Sequence, residues 1–243
     1  MASKSKRTGS LVYVVLDKSG SMSAIRAATV KGVGQFIRDT GKADPNAAFH
    51  LSMFDTVVTK AFSGEPISSV ESIDRQYNPG GGTALLDAIG RAVKEVEDLP
   101  AIPKKVVFVV MTDGQENESR EYTREAVKAL IERHEDKDDW QFLFLGANLD
   151  AFDEAGKIGM RNAASTSATW QPTSQGATAM HMSSSISTSN YLSGVTRSAT
   201  LTQDQYDETL ASISGGTAGT SVQSIPDVVV DTTSAKPRSR RIK

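Results

Sequence analysis

Short runs of apolar residues, each bounded by polar or turn-forming residues, recur along the chain. Continuous apolar runs of this length are typical of strands buried on both faces. We therefore predict strands over residues 11–16, 47–54, 105–111 and 140–145. A further strand is predicted over residues 57–62, and only Asp55-Thr56 separates it from the strand before it. So short a connection indicates an antiparallel hairpin, which places this strand at a sheet edge.

Between these strands, apolar residues recur at the spacing of one helix face. Helices are predicted over residues 23–40, 84–99, 122–134, 149–158 and 175–192, and a short last strand over 163–169. Strands that alternate with helices predict an α/β fold. We expect a doubly wound, mostly parallel sheet with one antiparallel edge strand.

The composition divides the chain into three parts. Residues 1–9 form a basic arm, residues 10–195 carry the strand and helix pattern, and residues 196–243 form a tail rich in Ser and Thr with a basic end. Large apolar residues are sparse in the tail, so we predict an extended segment that is disordered in isolation. Within it, residues 203–213 are a candidate short helix and residues 228–230 a candidate short strand.

Charge and cysteine content exclude several classes of function. The 243 residues carry a formal net charge of −2, so only the basic termini offer weak contacts to nucleic acid. The absence of cysteine removes disulfides, thiolate metal sites and cysteine nucleophiles. No stretch resembles a signal peptide or is long enough for a transmembrane helix. A cytoplasmic location is expected.

The candidate chemistry lies in the loops that follow the predicted strands. Five oxygen-bearing side chains occupy three such loops: Asp17, Ser19, Ser21, Thr83 and Asp113. In an open parallel sheet these loops converge at the carboxyl ends of the strands, where ligands bind. Carboxylate and hydroxyl oxygens gathered there favour a hard divalent cation. The alternative is that Asp17 and its neighbouring serines only cap the next helix.

Together these motifs resemble a known pattern. It comprises Asp17-Lys18-Ser19-Gly20-Ser21, Thr83 within Gly81-Gly82-Thr83, and Asp113 within Thr112-Asp113-Gly114. The pattern is similar to that of a von Willebrand factor A (vWA) domain with a metal-ion-dependent adhesion site. The resemblance covers roughly residues 10–195 and is greatest to bacterial and phage intracellular members.

The resemblance implies a role for each position. Ser19, Ser21 and Thr83 would offer hydroxyl oxygens to a cation, and Asp17 and Asp113 would act directly or through water. Magnesium is the expected ion, with manganese and calcium as alternatives. A cation with only two carboxylates keeps positive charge and would attract an Asp or Glu side chain of a partner protein. The resemblance also suggests a ring-forming AAA-type ATPase as partner.

Other functions remain open at this point. The glycines at 80–82 outline a phosphate loop, but the spacing and the Lys-Ser/Thr ending of that loop are absent. Asp17-x-Ser19 loosely resembles haloacid-dehalogenase-type phosphatases but lacks their second Asp, so we expect no enzyme. The three histidines are expected at surface or packing positions. Glu116 and Glu118, beside the candidate site, are expected in solvent by default, the alternatives being that they repel acidic partners or add cation affinity. An assembly role, with the tail docked on neighbouring subunits, is the main alternative.

Overall fold

The computed structural model describes residues 9–138, 140–147 and 150–215. Its strands are β1 (Ser10–Asp17), β2 (Ala48–Phe54), β3 (Val58–Pro66), β4 (Lys105–Thr112), β5 (Gln141–Ala147) and β6 (Ser167–Trp170). They form one sheet in the order β3-β2-β1-β4-β5-β6. β3 runs antiparallel to β2, and the remaining neighbours pair in parallel. The predicted fold class is therefore confirmed.

Helices cover both faces of this sheet. They are α1 (Arg26–Ala43), α2 (Leu85–Glu97), α3 (Arg124–Asp138), α4 (Ala151–Lys157), α5 (Ala163–Thr166), α6 (Ser174–Ser193) and α7 (Gln203–Ser214). Side chains of β1 alternate between two cores, as the period of a strand requires. Val12 and Val14 pack in the core with α1 and α6, whereas Leu11 and Val15 pack in the core with α2 and α3. None of the described helices is both long and apolar enough to span a bilayer.

The parallel register fixes where the candidate loops meet. Leu16 of β1 pairs with Met111 of β4, and Asp17 pairs with Phe54 of β2. The carboxyl ends of the three central strands therefore lie at one level of the sheet. The loops that follow these strands leave the same edge side by side.

The last strand begins later than predicted. The sequence analysis placed a strand over residues 163–169, but α5 occupies the first half of that segment and β6 the second. The hydroxyls of Thr166 and Ser167 donate to the carbonyls of Asn162 and Ala163, which completes a helical turn. Small residues whose hydroxyls can hydrogen-bond to the backbone fit either a helix or a strand. The sequence pattern therefore did not distinguish a helix from a strand in this segment.

The folded chain extends beyond residue 195, where the sequence analysis placed the start of the tail. Ala199, Leu201 and Tyr206 are at most 1% exposed and pack in the core with α1 and α6. Tyr206 accepts a hydrogen bond from the backbone N–H of Gln171 through its hydroxyl, which ties α7 to the end of β6. These three buried residues thus anchor the segment. The arm at 1–8 and the tail from 216, with its candidate strand at 228–230, lie outside the described residues.

Close packing of α1 against α6 depends on Gly32. A Cβ at this position would lie 2.0 Å from Cδ2 of the buried ring of His181. We expect Gly32→Ala to destabilise the protein by about 2 kcal/mol, because overpacking outweighs a helix-propensity gain of about 1 kcal/mol. The control is Gly156→Ala in α4, where a Cβ meets no atom within 4 Å. Urea unfolding of both variants tests this, and equal effects would contradict it.

Candidate metal centre

The loop after β1 brings its first three oxygen-bearing side chains together. Asp17 ends the strand, and its Oδ1 accepts the backbone N–H of Ser19 at 2.6 Å. The hydroxyls of Ser19 and Ser21 lie 3.1 Å apart. Asp17 and Ser19 are buried, whereas Ser21 is exposed at the start of a short 3₁₀ segment. The cluster therefore opens to solvent on the side of Ser21.

Asp113 joins this cluster from the neighbouring strand. Its Oδ1 accepts a hydrogen bond from the hydroxyl of Ser21 at 2.6 Å and lies 3.5 Å from the hydroxyl of Ser19. The residue before it, Thr112, donates its hydroxyl to Oδ2 of Asp17 at 2.6 Å. The ends of β1 and β4 are thus linked through side chains as well as through the sheet.

Thr83 reaches the same place from the glycine-rich loop. A Cβ on Gly114, the residue after Asp113, would lie 3.1 Å from the hydroxyl oxygen of Thr83. The glycine-rich loop also meets the loop after β1, because the N–H of Gly20 donates to the carbonyl of Gly81 at 3.1 Å. Three loops therefore bring all five predicted side chains to one edge of the sheet.

Burial makes the two carboxylates of this cluster costly to ionise. Asp17 is 0% exposed and Asp113 is 3% exposed. Burial raises the pKa of Asp17 to about 6, hydrogen bonds from Thr112 and Ser19 oppose the rise, and the charge of Asp113 adds to it. Burial also raises the pKa of Asp113, against the hydrogen bonds from Ser21 and Ser19. A bound cation would favour the ionised form of both carboxylates.

The donor set fits a hard cation. Carboxylate and hydroxyl oxygens are the ligand types that magnesium and similar ions prefer. In the described part of the chain, no three histidine or acidic side chains are grouped as a metal site. A cation in this cluster would therefore depend on the hydroxyls of Ser19, Ser21 and Thr83 in addition to its two carboxylates.

Several residues that support this cluster were not identified from the sequence. The hydroxyl of Tyr77 donates to the carbonyl of Asp17 at 2.9 Å, and the indole N–H of Trp170 donates to the carbonyl of Thr112 at 3.0 Å. Lys18, inside the pentad, forms an ion pair with Asp55 of the β2–β3 turn. Each contact joins positions far apart in sequence, so spacing along the chain carried no signal for it.

The expectation that Glu116 lies free in solvent was wrong. Its two carboxylate oxygens accept hydrogen bonds from the backbone N–H groups of Leu86, Glu118 and Ser119 and from the hydroxyl of Ser119. The acidic residue therefore holds the loop after β4 against the start of α2. Glu118 is partly exposed and lies 3.7 Å from the guanidinium of Arg120.

The histidines lie away from the cluster. His50 pairs with Glu95, His134 pairs with Glu97, and His181 packs against α1. All three are buried, at 1–5% exposure, so they are packing residues and none lies at the surface. These contacts place the histidines in packing roles and give no support to a general base for a cation-bound water.

Comparison with known protein families gives a match over more than half of the chain. Residues 2–136 match the family described as VWA domain containing CoxE-like protein. The matched segment includes all five candidate ligand residues. No curated protein matches the chain.

Solved structures with a similar fold have low sequence identity. The PilB minor pilin from Streptococcus sanguinis has a TM-score of 0.56 and 14% identity, covering 79% of this chain and 64% of the pilin. The SpRpn10 VWA domain has a TM-score of 0.52 and 11% identity, covering 71% of this chain and 94% of that domain. The ArnB paralog VWA2 from Sulfolobus acidocaldarius has a TM-score of 0.50 and 18% identity, covering 73% and 46%. At these identities the likeness establishes the fold. The chain spans less than two thirds of the pilin and of VWA2.

Proposed function

Since this chain belongs to the family of VWA domain containing CoxE-like proteins, we propose that it is a non-catalytic, metal-dependent protein-interaction module. The observation that carries the proposal is the cluster itself. Asp17, Ser19, Ser21 and Asp113 form one hydrogen-bonded group, and Thr83 lies beside it. A cation held there would be a metal-ion-dependent adhesion site, as the motif pattern implies.

The chain's own residues have distinct roles in this proposal. Ser19, Ser21 and Thr83 offer neutral oxygens, and Asp17 and Asp113 supply the negative charge. Two carboxylates formally balance the charge of a divalent cation, and the hydroxyl oxygens around it are neutral. The cation can therefore accept one further carboxylate. We propose that a partner protein supplies this group from an Asp or Glu side chain.

The finer assignments remain predictions from the sequence. These are magnesium as the natural ion, a cytoplasmic location, an intracellular bacterial or phage type, an AAA-type ATPase as partner, and assembly through the tail. A phosphohydrolase is the less favoured alternative, because metal-bound water also needs a general base within reach. The buried contacts of the three histidines favour packing roles instead.

Cation binding by the purified protein tests the proposal. Titration calorimetry with Mg²⁺ and Mn²⁺ is expected to show one saturable site in the wild type. Asp113→Ala removes a carboxylate that contacts both serines, so we expect affinity to fall by at least about tenfold. The matched control is Asp204→Ala on α7, an exposed position that makes the same charge change and should bind normally.

A capture experiment then tests the partner class. Proteins from the native host are bound to immobilised wild type in Mg²⁺, in chelator, and to Asp113→Ala in Mg²⁺. A specific protein retained by the magnesium-loaded wild type alone is expected, and substitution of its acidic contact residue should release it. Absence of saturable cation binding in the wild type would refute the proposal.

A further inference from the structure

The loop after β4 is held to the start of α2 by two carboxylates that are not candidate ligands. Glu116 accepts the N–H of Leu86 in the first turn of α2 at 2.9 Å. Asp87, also in that first turn, accepts the N–H groups of Arg120, Glu121 and Tyr122 at 2.8–2.9 Å. Each element therefore satisfies backbone donors of the other, which fixes the loop relative to the helix.

Asn117, between these two anchors, contacts the loop that carries Thr83. Its Oδ1 accepts the backbone N–H of Thr83 at 2.8 Å. In return, the carbonyl of Thr83 accepts the N–H groups of Asn117 and Glu118 at 3.1 and 3.3 Å. The backbone of Thr83 thus bonds on both sides to the loop after β4.

Side chains of the loop after β4 pack directly against the backbone of Gly82. A Cβ on Gly82 would lie 2.4 Å from Cγ of Glu118 and 3.0 Å from Oδ1 of Asn117. Glycine at this position leaves space for the side chains of Glu118 and Asn117 to lie against the glycine-rich loop. Thr83 is consequently positioned by the loop that contains Asp113, in addition to its own glycine-rich loop.

We propose that Asn117 is a positioning residue that sets the place of the Thr83 hydroxyl beside Asp113 and thereby the affinity of the site for a cation. This inference rests on the proposed function and deepens it. In this proposal Asn117 acts through the N–H of Thr83, which its Oδ1 accepts, and not as a ligand. Residues that orient metal ligands commonly contribute about 10- to 100-fold to metal affinity.

Two substitutions at this position separate geometry from general stability. Asn117→Ala removes the acceptor, and we expect Mn²⁺ affinity to fall about tenfold. Hydrogen exchange of the Thr83 amide should also become faster in metal-free protein, a change that does not depend on any bound ion. Asn117→Asp keeps an oxygen in the same place and should retain both slow exchange and tight Mn²⁺ binding. The matched control is Asn78→Ala, because Asn78 is exposed in the glycine-rich loop and bonds to Arg75.

The outcomes distinguish this inference from the function it rests on. Failure of the wild type to bind Mn²⁺ would refute the proposed function. Normal Mn²⁺ affinity in Asn117→Ala, with the wild type binding, would overturn the positioning role alone. A lower melting temperature in Asn117→Ala with unchanged affinity and unchanged Thr83 exchange would likewise overturn it, since that is the signature of a purely structural residue.

Discussion

Replacing Glu95 with alanine is expected to lower the free energy of unfolding by about 3 kcal/mol, because it removes the shared acceptor of a buried polar network. Glu95 lies on α2 and its side chain is 11% exposed. It accepts hydrogen bonds from the hydroxyl of Tyr13 on β1 and the hydroxyl of Ser63 on β3, at 2.9 and 2.8 Å. It also lies 3.2 Å from Nδ1 of His50 on β2. One carboxylate therefore links a helix to three strands.

The pH dependence of stability gives a second measurement of the same network. Burial alone would raise the pKa of Glu95, but hydrogen bonds from His50, Lys60, Ser63 and Tyr13 outweigh burial and lower it to about 2. The ordinary value, 4.5, applies to the unfolded chain. A lowered pKa stabilises the fold above pH 4.5, and this stabilisation disappears as the pH falls towards 2. The loss amounts to about 3 kcal/mol over that window.

Two variants identify which part of the network matters. Glu95→Gln keeps the shape of the side chain but cannot ionise. Between pH 5 and pH 2, its free energy of unfolding in urea should therefore fall by about 3 kcal/mol less than that of the wild type. Lys60→Ala is the control, because the Lys60 side chain is 59% exposed and its ammonium makes a surface ion pair worth at most about 1 kcal/mol. Equal destabilisation by Lys60→Ala and Glu95→Ala at pH 7 would show that the buried acceptor has no special weight.

The central sheet and the convergence of the site could be predicted from the sequence because both depend on local patterns. The β-branched run of β4 is buried on both faces, so its periodicity and composition agree with its structure. Once a parallel sheet is inferred, the carboxyl ends of its strands share an edge. Asp17 and Asp113 therefore had to lie at the same edge of the sheet, and the pairing of β1 with β4, which the sequence pattern did not predict, brings them close together.

The supports of the site could not be predicted because they depend on contacts between distant segments. Glu116 and Asn117 lie in a polar loop, and nothing in their spacing indicates that they bond to residues 83 and 86. The sequence indicated the helix at 203–213, which is α7, but not that the segment after residue 195 packs on the domain, for a related reason. Leu201 and Tyr206 are isolated among polar residues, and their burial follows from the surface that α6 and β6 present.

His181 is expected to make the fold sensitive to mild acid. Its side chain lies between α6 and α1, the residue is 1% exposed, and neither ring nitrogen has a hydrogen-bond partner among the described residues. Desolvation by burial lowers the pKa of His181 to about 3, from an ordinary value of 6.5. A group that is neutral when folded and protonated when unfolded stabilises the unfolded chain as the pH falls below 6.5. Stability should therefore decrease by about 1.4 kcal/mol per pH unit from this residue.

Comparison of variants isolates this contribution from other titrating groups. Asp17 and Asp113 act in the opposite direction, because a raised carboxyl pKa in the folded state favours folding as the pH falls. His181→Leu and His181→Gln remove only the imidazole. Between pH 7 and pH 5, the free energy of unfolding of each variant should therefore fall by about 2 kcal/mol less than that of the wild type. The glutamine variant shows whether the effect follows from titration, since it keeps a polar side chain that cannot ionise. Parallel pH profiles for the wild type and both variants would mean that the ring accepts a proton inside the folded protein as readily as in water, and that the α1–α6 contact opens to admit it.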